Sequence, residues 1–185
     1  MKFFTKLTDV TKTEADMLVV FSSFAKAMED KAGTGFMLSE EAKKVDGAMG
    51  GMLAEAAVAE DFEAKTGNAL LMHTHGKVAA KRLLLVGLGD EKERTVTDVQ
   101  TAGATIGRRA LEVAAKTVAV ALPKDLTSQS VVEGVMLGTY TFSKHKSEES
   151  RKKEKHIEEV ILLTTPPKLN AVAAGISRGE TVSRA

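Results

Sequence analysis

The sequence predicts an α/β layered domain, with a central, mostly parallel but mixed sheet flanked by helices. Short apolar runs such as MLVVF (17–21), LLLV within 81–90 and EVILLT (159–164) recur along the chain, and continuous runs of this kind mark strands buried on both faces. Longer stretches with apolar residues at helical spacing separate them, and a strand–helix–strand order calls for parallel pairing through crossovers. The 185 residues, 43% hydrophobic and 28% charged, suffice for one domain-sized core.

Residues 3–7 and 17–21 read as the first two strands. The stretch 32–38, AGTGFML, has the composition of a loop, and Ser39-Glu40-Glu41 follows as a helix start. Residues 39–63 have helical propensity, but Gly47, Gly50 and Gly51 interrupt them. Glycine costs about 1 kcal/mol against Ala inside a helix, so a break is expected near Gly50. After a turn at Thr66-Gly67-Asn68, residues 69–73 form a strand. The run KRLLLVGLGD (81–90) joins a strand to a glycine turn and then to a helix start. Residues 95–116 read as a helix starting near Thr97-Asp98, with Val99, Ala102, Ile106, Ala110 and Val113 as its apolar stripe. Gly103 and Gly107 beside that stripe would let it sit close on a sheet. A strand at 118–122 ends at Pro123. The helix expected over 128–142 carries a second glycine pair, Gly134 and Gly138, with Tyr140 and Phe142 read as core. The last strand stops at Pro166-Pro167, and 169–185 reads as a final helix.

Several function classes are excluded or narrowed by composition. Lys and Arg total 26 against 25 Asp and Glu, a net charge of +1, which provides no overall field for nucleic acid or anionic membrane. The chain has no cysteine, hence no disulfide framework, thiolate nucleophile or Cys-based zinc site. Charged residues interrupt the amino terminus before a signal-peptide core develops, and no run reaches the roughly 18 apolar residues of a membrane helix. A cytoplasmic location is expected.

Three clusters invite a chemical reading. Gly87 and Gly89 could offer backbone N–H groups to an anion, although Asp90 and Glu91 follow where a dinucleotide fingerprint needs its third glycine; a plain strand-exit turn is the simpler reading. His73 and His75 have metal-like spacing, since residues two apart on a strand share a face, but no third ligand is close in sequence, and exposed histidines at a strand end suffice. Lys144, Lys146, Arg151, Lys152, Lys153 and Lys155 form a local basic segment that could meet nucleic acid or an acidic partner. Glu148, Glu149 and Glu154 dilute it, so a solvated loop is the simpler account. Met49 and Met52 fit core gap-filling as well as a ligand groove. No residue is assigned a catalytic role.

The succession KRLLLVGLGD, AGATIGRRA, VAVALP, VVEGVMLGTYTFSKHK and EEVILLT resembles the amino-terminal domain of the leucine (cytosol) aminopeptidase family over roughly residues 80–185. The resemblance implies a macro-domain-like fold over 1–165. It also implies that residues 166–185 form a helix leading toward a carboxyl-terminal catalytic domain with no counterpart here. In that family the catalytic domain binds two divalent ions, zinc or manganese, and removes residues from peptide amino termini, so no cofactor is expected in this chain. The same polypeptide's catalytic domain is the expected partner, within a homo-oligomer, a hexamer in the full-length enzyme. Two other roles stay open: a stand-alone macro-like module binding a nucleotide or ADP-ribose, and nucleic-acid binding through 144–155.

Overall fold

The computed structural model describes residues 1–24, 35–140 and 155–184. Seven strands form one sheet: β1 (Lys2–Lys6), β2 (Met17–Phe24), β3 (Phe36–Leu38), β4 (Ala69–His73), β5 (Arg82–Asp90), β6 (Thr117–Ala121) and β7 (Glu159–Leu163). Among the described residues five α-helices accompany them: α1 (Glu40–Met49), α2 (Met52–Ala59), α3 (Val96–Glu112), α4 (Ser128–Thr139) and α5 (Leu169–Arg184).

The sheet runs β1-β7-β6-β2-β5-β4. The five strands from β1 to β5 along this order are parallel, and β4 is antiparallel to β5. Residues 17–21 of β2 are fully buried, as the continuous apolar run requires of a strand covered on both faces. One face packs Val19, Leu84, Val86, Val118, Val120, Val160 and Leu162 under α3, α4 and α5. The other packs Leu18, Val20, Leu83, Leu85 and Ala119 under α1 and α2.

Local chemistry sets the helix ends. α1 begins at Ser39, whose side chain accepts from the Ala42 N–H at 3.2 Å. It stops where Gly50 and Gly51 take φ of 73° and 85°, the left-handed region open to glycine; the break expected near Gly50 is present. Gly51 has no side chain to cap α2. Asp46 reaches across instead, its Oδ1 accepting from Leu53 N and Ala54 N at 3.0 Å each. α3 is capped at Thr95, two residues before the expected Thr97, by a capping box: Asp98 N donates to Thr95 Oγ1 and Thr95 N to Asp98 Oδ2.

Four expectations need correction. Residues 36–38 form a strand, not loop, because β2 outruns β6 and leaves the edge of Ser22–Phe24 free for β3 to pair antiparallel. The helix glycines serve helix–helix contact. A Cβ on Gly103 would lie 2.7 Å from Val131 O and one on Gly107 2.8 Å from Val135 O, while one on Gly134 or Gly138 would overlap the α3 backbone. These glycines thus bring α3 close onto α4, while its apolar stripe covers the sheet. Tyr140 ends α4 at 75% exposure and is not core; Phe142 lies outside the described residues. Finally, no packing boundary falls at residue 165. A Cβ on Gly179 would meet Gln129 O at 2.9 Å, and Val172 and Ile176 are buried in the core beneath α5.

Candidate functional site

Parallel strands bring their carboxyl ends to one edge, and in open α/β sheets that edge is where ligands are held. Here the ends of β1, β6 and β7 open into a cavity of about 580 Å³. Its walls are the segment after β1 (Thr8, Asp9, Val10), Pro123 and Lys124 after β6, Thr164 and Thr165 after β7, and the first turn of α4; Lys44 of α1 and Arg178 of α5 stand at its sides. A smaller cavity of about 280 Å³ adjoins it at the ends of β2 and β5. Arg94 borders that space, its guanidinium bound to Asp125 and donating to Ser23 Oγ at 2.8 Å.

Several of the polar side chains that line the cavity are engaged within the fold. Ser128 Oγ donates to Val172 O at 3.0 Å, and Ser130 Oγ shares a hydrogen bond with Thr127 Oγ1 at 2.7 Å. Neither hydroxyl meets a base able to take its proton, as an activated nucleophile requires. Glu133 is buried, and its two oxygens accept from Gln100 Nε2 at 2.7 Å and Gln129 Nε2 at 2.9 Å. A carboxylate so fixed by amides is structural: it ties α3 to α4. Lys44 and Arg178 form no ion pair among the described residues, so their charge is available to an anionic group in the crevice. These residues come from separate loops and helices, and no spacing in the sequence joins them. The strand-end rule applied to the predicted sheet is the one signal that points to them.

The sequence-predicted clusters lie elsewhere. Gly87 and Gly89 are within β5 and not in an exit turn. Ser22 pairs with Gly87 and Phe24 with Asp90, so β5 carries one extra residue there, a bulge with Gly89 at φ 71°. Gly87 N donates to Asn68 O at 2.8 Å and Gly89 N to Ala64 O at 3.0 Å. Both N–H groups are committed, and the anion reading fails for that reason. The glycines are needed because residues 64–66 cross here: a Cβ on Gly89 would lie 2.6 Å from Thr66 Oγ1.

His73 ends β4, while His75 lies beyond the strand at φ 50°, so the two do not share a strand face. Their ring centroids are 6.1 Å apart, and among the described residues no group of three His, Cys, Asp or Glu is placed to hold a metal ion. Of the basic segment, Lys144, Lys146, Arg151, Lys152 and Lys153 lie outside the described residues. Lys155 donates to Glu112 O at 2.6 Å, closing the end of α3.

Residues 18–149 match the family model of the cytosol aminopeptidase family, N-terminal domain. The chain belongs to that family. Among curated relatives, a probable cytosol aminopeptidase of Alkaliphilus metalliredigens is 30% identical over 149 residues, covering 76% of this chain and 30% of the relative. One of Gloeothece citriformis is 35% identical over 131 residues, covering 68% and 26%. The chain therefore spans under a third of the length of these cytosol aminopeptidases.

The fold is that of the family's amino-terminal domain. A tomato leucine aminopeptidase variant superposes with a TM-score of 0.76 at 22% identity, covering 100% of this chain and 36% of that one. A macrodomain variant of Oceanobacillus iheyensis superposes at 0.60 with 10% identity, covering 98% and 93%. The macro-domain-like expectation is met. Among the described residues no helix is long and apolar enough to cross a membrane.

Proposed function

We propose that this chain is the non-catalytic amino-terminal domain of a metal-dependent leucyl aminopeptidase, serving assembly and regulation of the parent enzyme in the cytoplasm. The observation that carries the reading is the family match over 18–149, joined to a crevice in which Thr127, Ser128, Ser130 and the buried Glu133 are engaged within the fold. Two-metal hydrolysis needs several carboxylate or imidazole ligands converging in a dry cleft. The described residues do not fit that requirement, and the two divalent ions, zinc or manganese, are assigned to the catalytic domain of the same polypeptide. A homo-oligomer, a hexamer in the full-length enzyme, belongs to the same proposal.

The test has two arms. The purified chain, supplied with Mn²⁺ or Zn²⁺, is expected to release no leucine from leucinamide. Co-expressed with a catalytic domain of the family, it is expected to co-purify in a larger assembly. Metal-dependent turnover by the chain alone, or persistent failure to associate, would overturn the reading.

A further inference from the structure

We propose that the crevice at the ends of β1, β6 and β7 binds an aliphatic amino acid, free or within a short peptide, as a zwitterion with its ammonium group beside Glu133 and its carboxylate beside Lys44. The inference rests on the regulatory part of the proposed function and deepens it, since it gives the domain a ligand of its own.

The buried carboxylate is the first observation. Glu133 is 7% exposed and borders the crevice. Gln100 and Gln129 each donate one hydrogen bond to it, but both donors are neutral amides, and a carboxylate has about four acceptor positions. No Lys, Arg or His forms an ion pair with Glu133 among the described residues. A buried charge is costly unless it is paired, so a cation that reaches Glu133 through the crevice is stabilised there. Among the described residues no three His, Cys, Asp or Glu side chains are grouped to hold a metal ion, and an ammonium group suits a single carboxylate better.

The opposite charge stands across the sheet. Glu133 belongs to α4, which covers one face, and Lys44 to α1, which covers the other. Lys44 forms no ion pair among the described residues, and Arg178 of α5 adds a second unpaired cation. Val10, Leu122, Leu163 and Val172 line the same space, an apolar wall for an aliphatic side chain. The volume of about 580 Å³ lies within the range of about 300–1,000 Å³ usual for small-molecule sites.

The same walls disfavour a nucleotide. No aromatic side chain lines the crevice among the described residues, so a base has no ring to stack on. Phosphate cradles are built from converging backbone N–H groups, commonly on glycine-rich loops. Here the connecting segments 7–10, 122–127 and 164–168 contain no glycine, and Pro123, Pro166 and Pro167 have no N–H to offer. Asp9 and Glu41 also line the crevice and would repel a polyanion, whereas a zwitterion carries no net charge.

Calorimetric titration of the intact chain tests the proposal with leucine, leucylleucine, N-acetylleucine, leucinamide and ADP-ribose. Saturable binding of leucine or leucylleucine is expected, and whichever of the two binds tighter names the source of the ligand. N-acetylleucine, which lacks the ammonium group, and leucinamide, which lacks the carboxylate, should each bind at least about ten-fold more weakly than leucine or its dipeptide. Glu133→Gln should weaken leucine or leucylleucine about ten-fold while leaving the affinity for N-acetylleucine unchanged, a selectivity that a purely structural role would not produce. Lys44→Ala should do the same with leucinamide as the insensitive ligand. Lys44 is exposed, so this second variant decides the matter should Glu133→Gln fail to fold. Absence of saturable binding by both leucine and leucylleucine would overturn the proposal, as would blocked ligands that bind as well as free ones, or ADP-ribose binding more tightly than either. Turnover of leucinamide would instead overturn the non-catalytic reading, so the two fail separately.

Discussion

Asp16 shows how much of this fold hangs on single polar groups. Its Oδ2 accepts from Lys116 N at 3.0 Å and Thr117 N at 3.1 Å, and its Oδ1 from Lys81 Nζ at 2.7 Å. One carboxylate thereby fixes the starts of β2, β5 and β6. The Lys81 hydrogen bond first, with the two backbone N–H groups, holds the Asp16 carboxyl below its ordinary range against the opposing effect of burial. Lys81 is largely exposed, so the ion pair itself contributes little; the backbone donors matter more. Asp16→Asn keeps the shape but turns an amide toward an ammonium, and hydrogen bonds to charged groups contribute about 1.5–3 kcal/mol. A loss of about 2 kcal/mol in urea unfolding at neutral pH is expected. The carboxylate's contribution is complete above its unfolded pKa of about 3.9 and is lost as pH falls through the lower folded value. The gap between wild type and Asp16→Asn should therefore close in acid, and a gap that stays constant with pH would contradict this account.

Among the elements, the three helices on one face interlock through small residues, and the same glycine-to-alanine change should have opposite signs at two sites. In α4, a Cβ on Gly134 would overlap the Gln100 carbonyl of α3. Backbone cannot yield as a flexible side chain would, and overpacking costs about 1–3 kcal/mol. In α1, a Cβ on Gly47 meets nothing within 4 Å, and alanine there gains up to about 1 kcal/mol of helix propensity. Calorimetry should show Gly134→Ala lowering Tm by several degrees and Gly47→Ala raising it by about 2–4 °C; matching signs would refute the packing argument. The glycine pairs were visible in the sequence, as were the long strands, because β-branched and leucine runs announce burial locally. What they face was not visible, since Gly103 meets Gly134 across a separate strand. β3 was hidden for a similar reason. Three residues carry no period, and this strand exists because β2 extends past β6. Gly87 and Gly89 imitated a phosphate turn, while the acceptors that consume their N–H groups, Asn68 O and Ala64 O, lie in a separate segment upstream. The crevice was legible as a place in the fold class, but its Lys44 and Arg178 were not legible as neighbours.

At the scale of the whole molecule, the question is whether the domain ends at residue 165 or includes α5. Sequence punctuation favours the first answer, because Pro166-Pro167 closes β7 and a helix follows. Packing favours the second. Val172 and Ile176 of α5 are buried in the core above the sheet, and full burial of such side chains stabilises by about 1.5–3 kcal/mol each. Ser128 at the start of α4 also donates to Val172 O, so removing α5 strips a partner from a buried hydroxyl. Together these losses amount to about 4–7 kcal/mol, against a total stability of about 5–15 kcal/mol for a typical domain. A chain ending at residue 165 should therefore lose most of its cooperative unfolding transition and expose apolar surface to a dye such as ANS. A chain lacking only residues 181–185, which carry none of these buried groups, should unfold as the intact protein does. If the 1–165 chain instead melts cooperatively at the wild-type temperature, α5 is a linker resting on a finished domain. On the packing seen here it is the helix that completes the layer, and any catalytic domain joined to it would be attached to the core itself and not to a flexible tether.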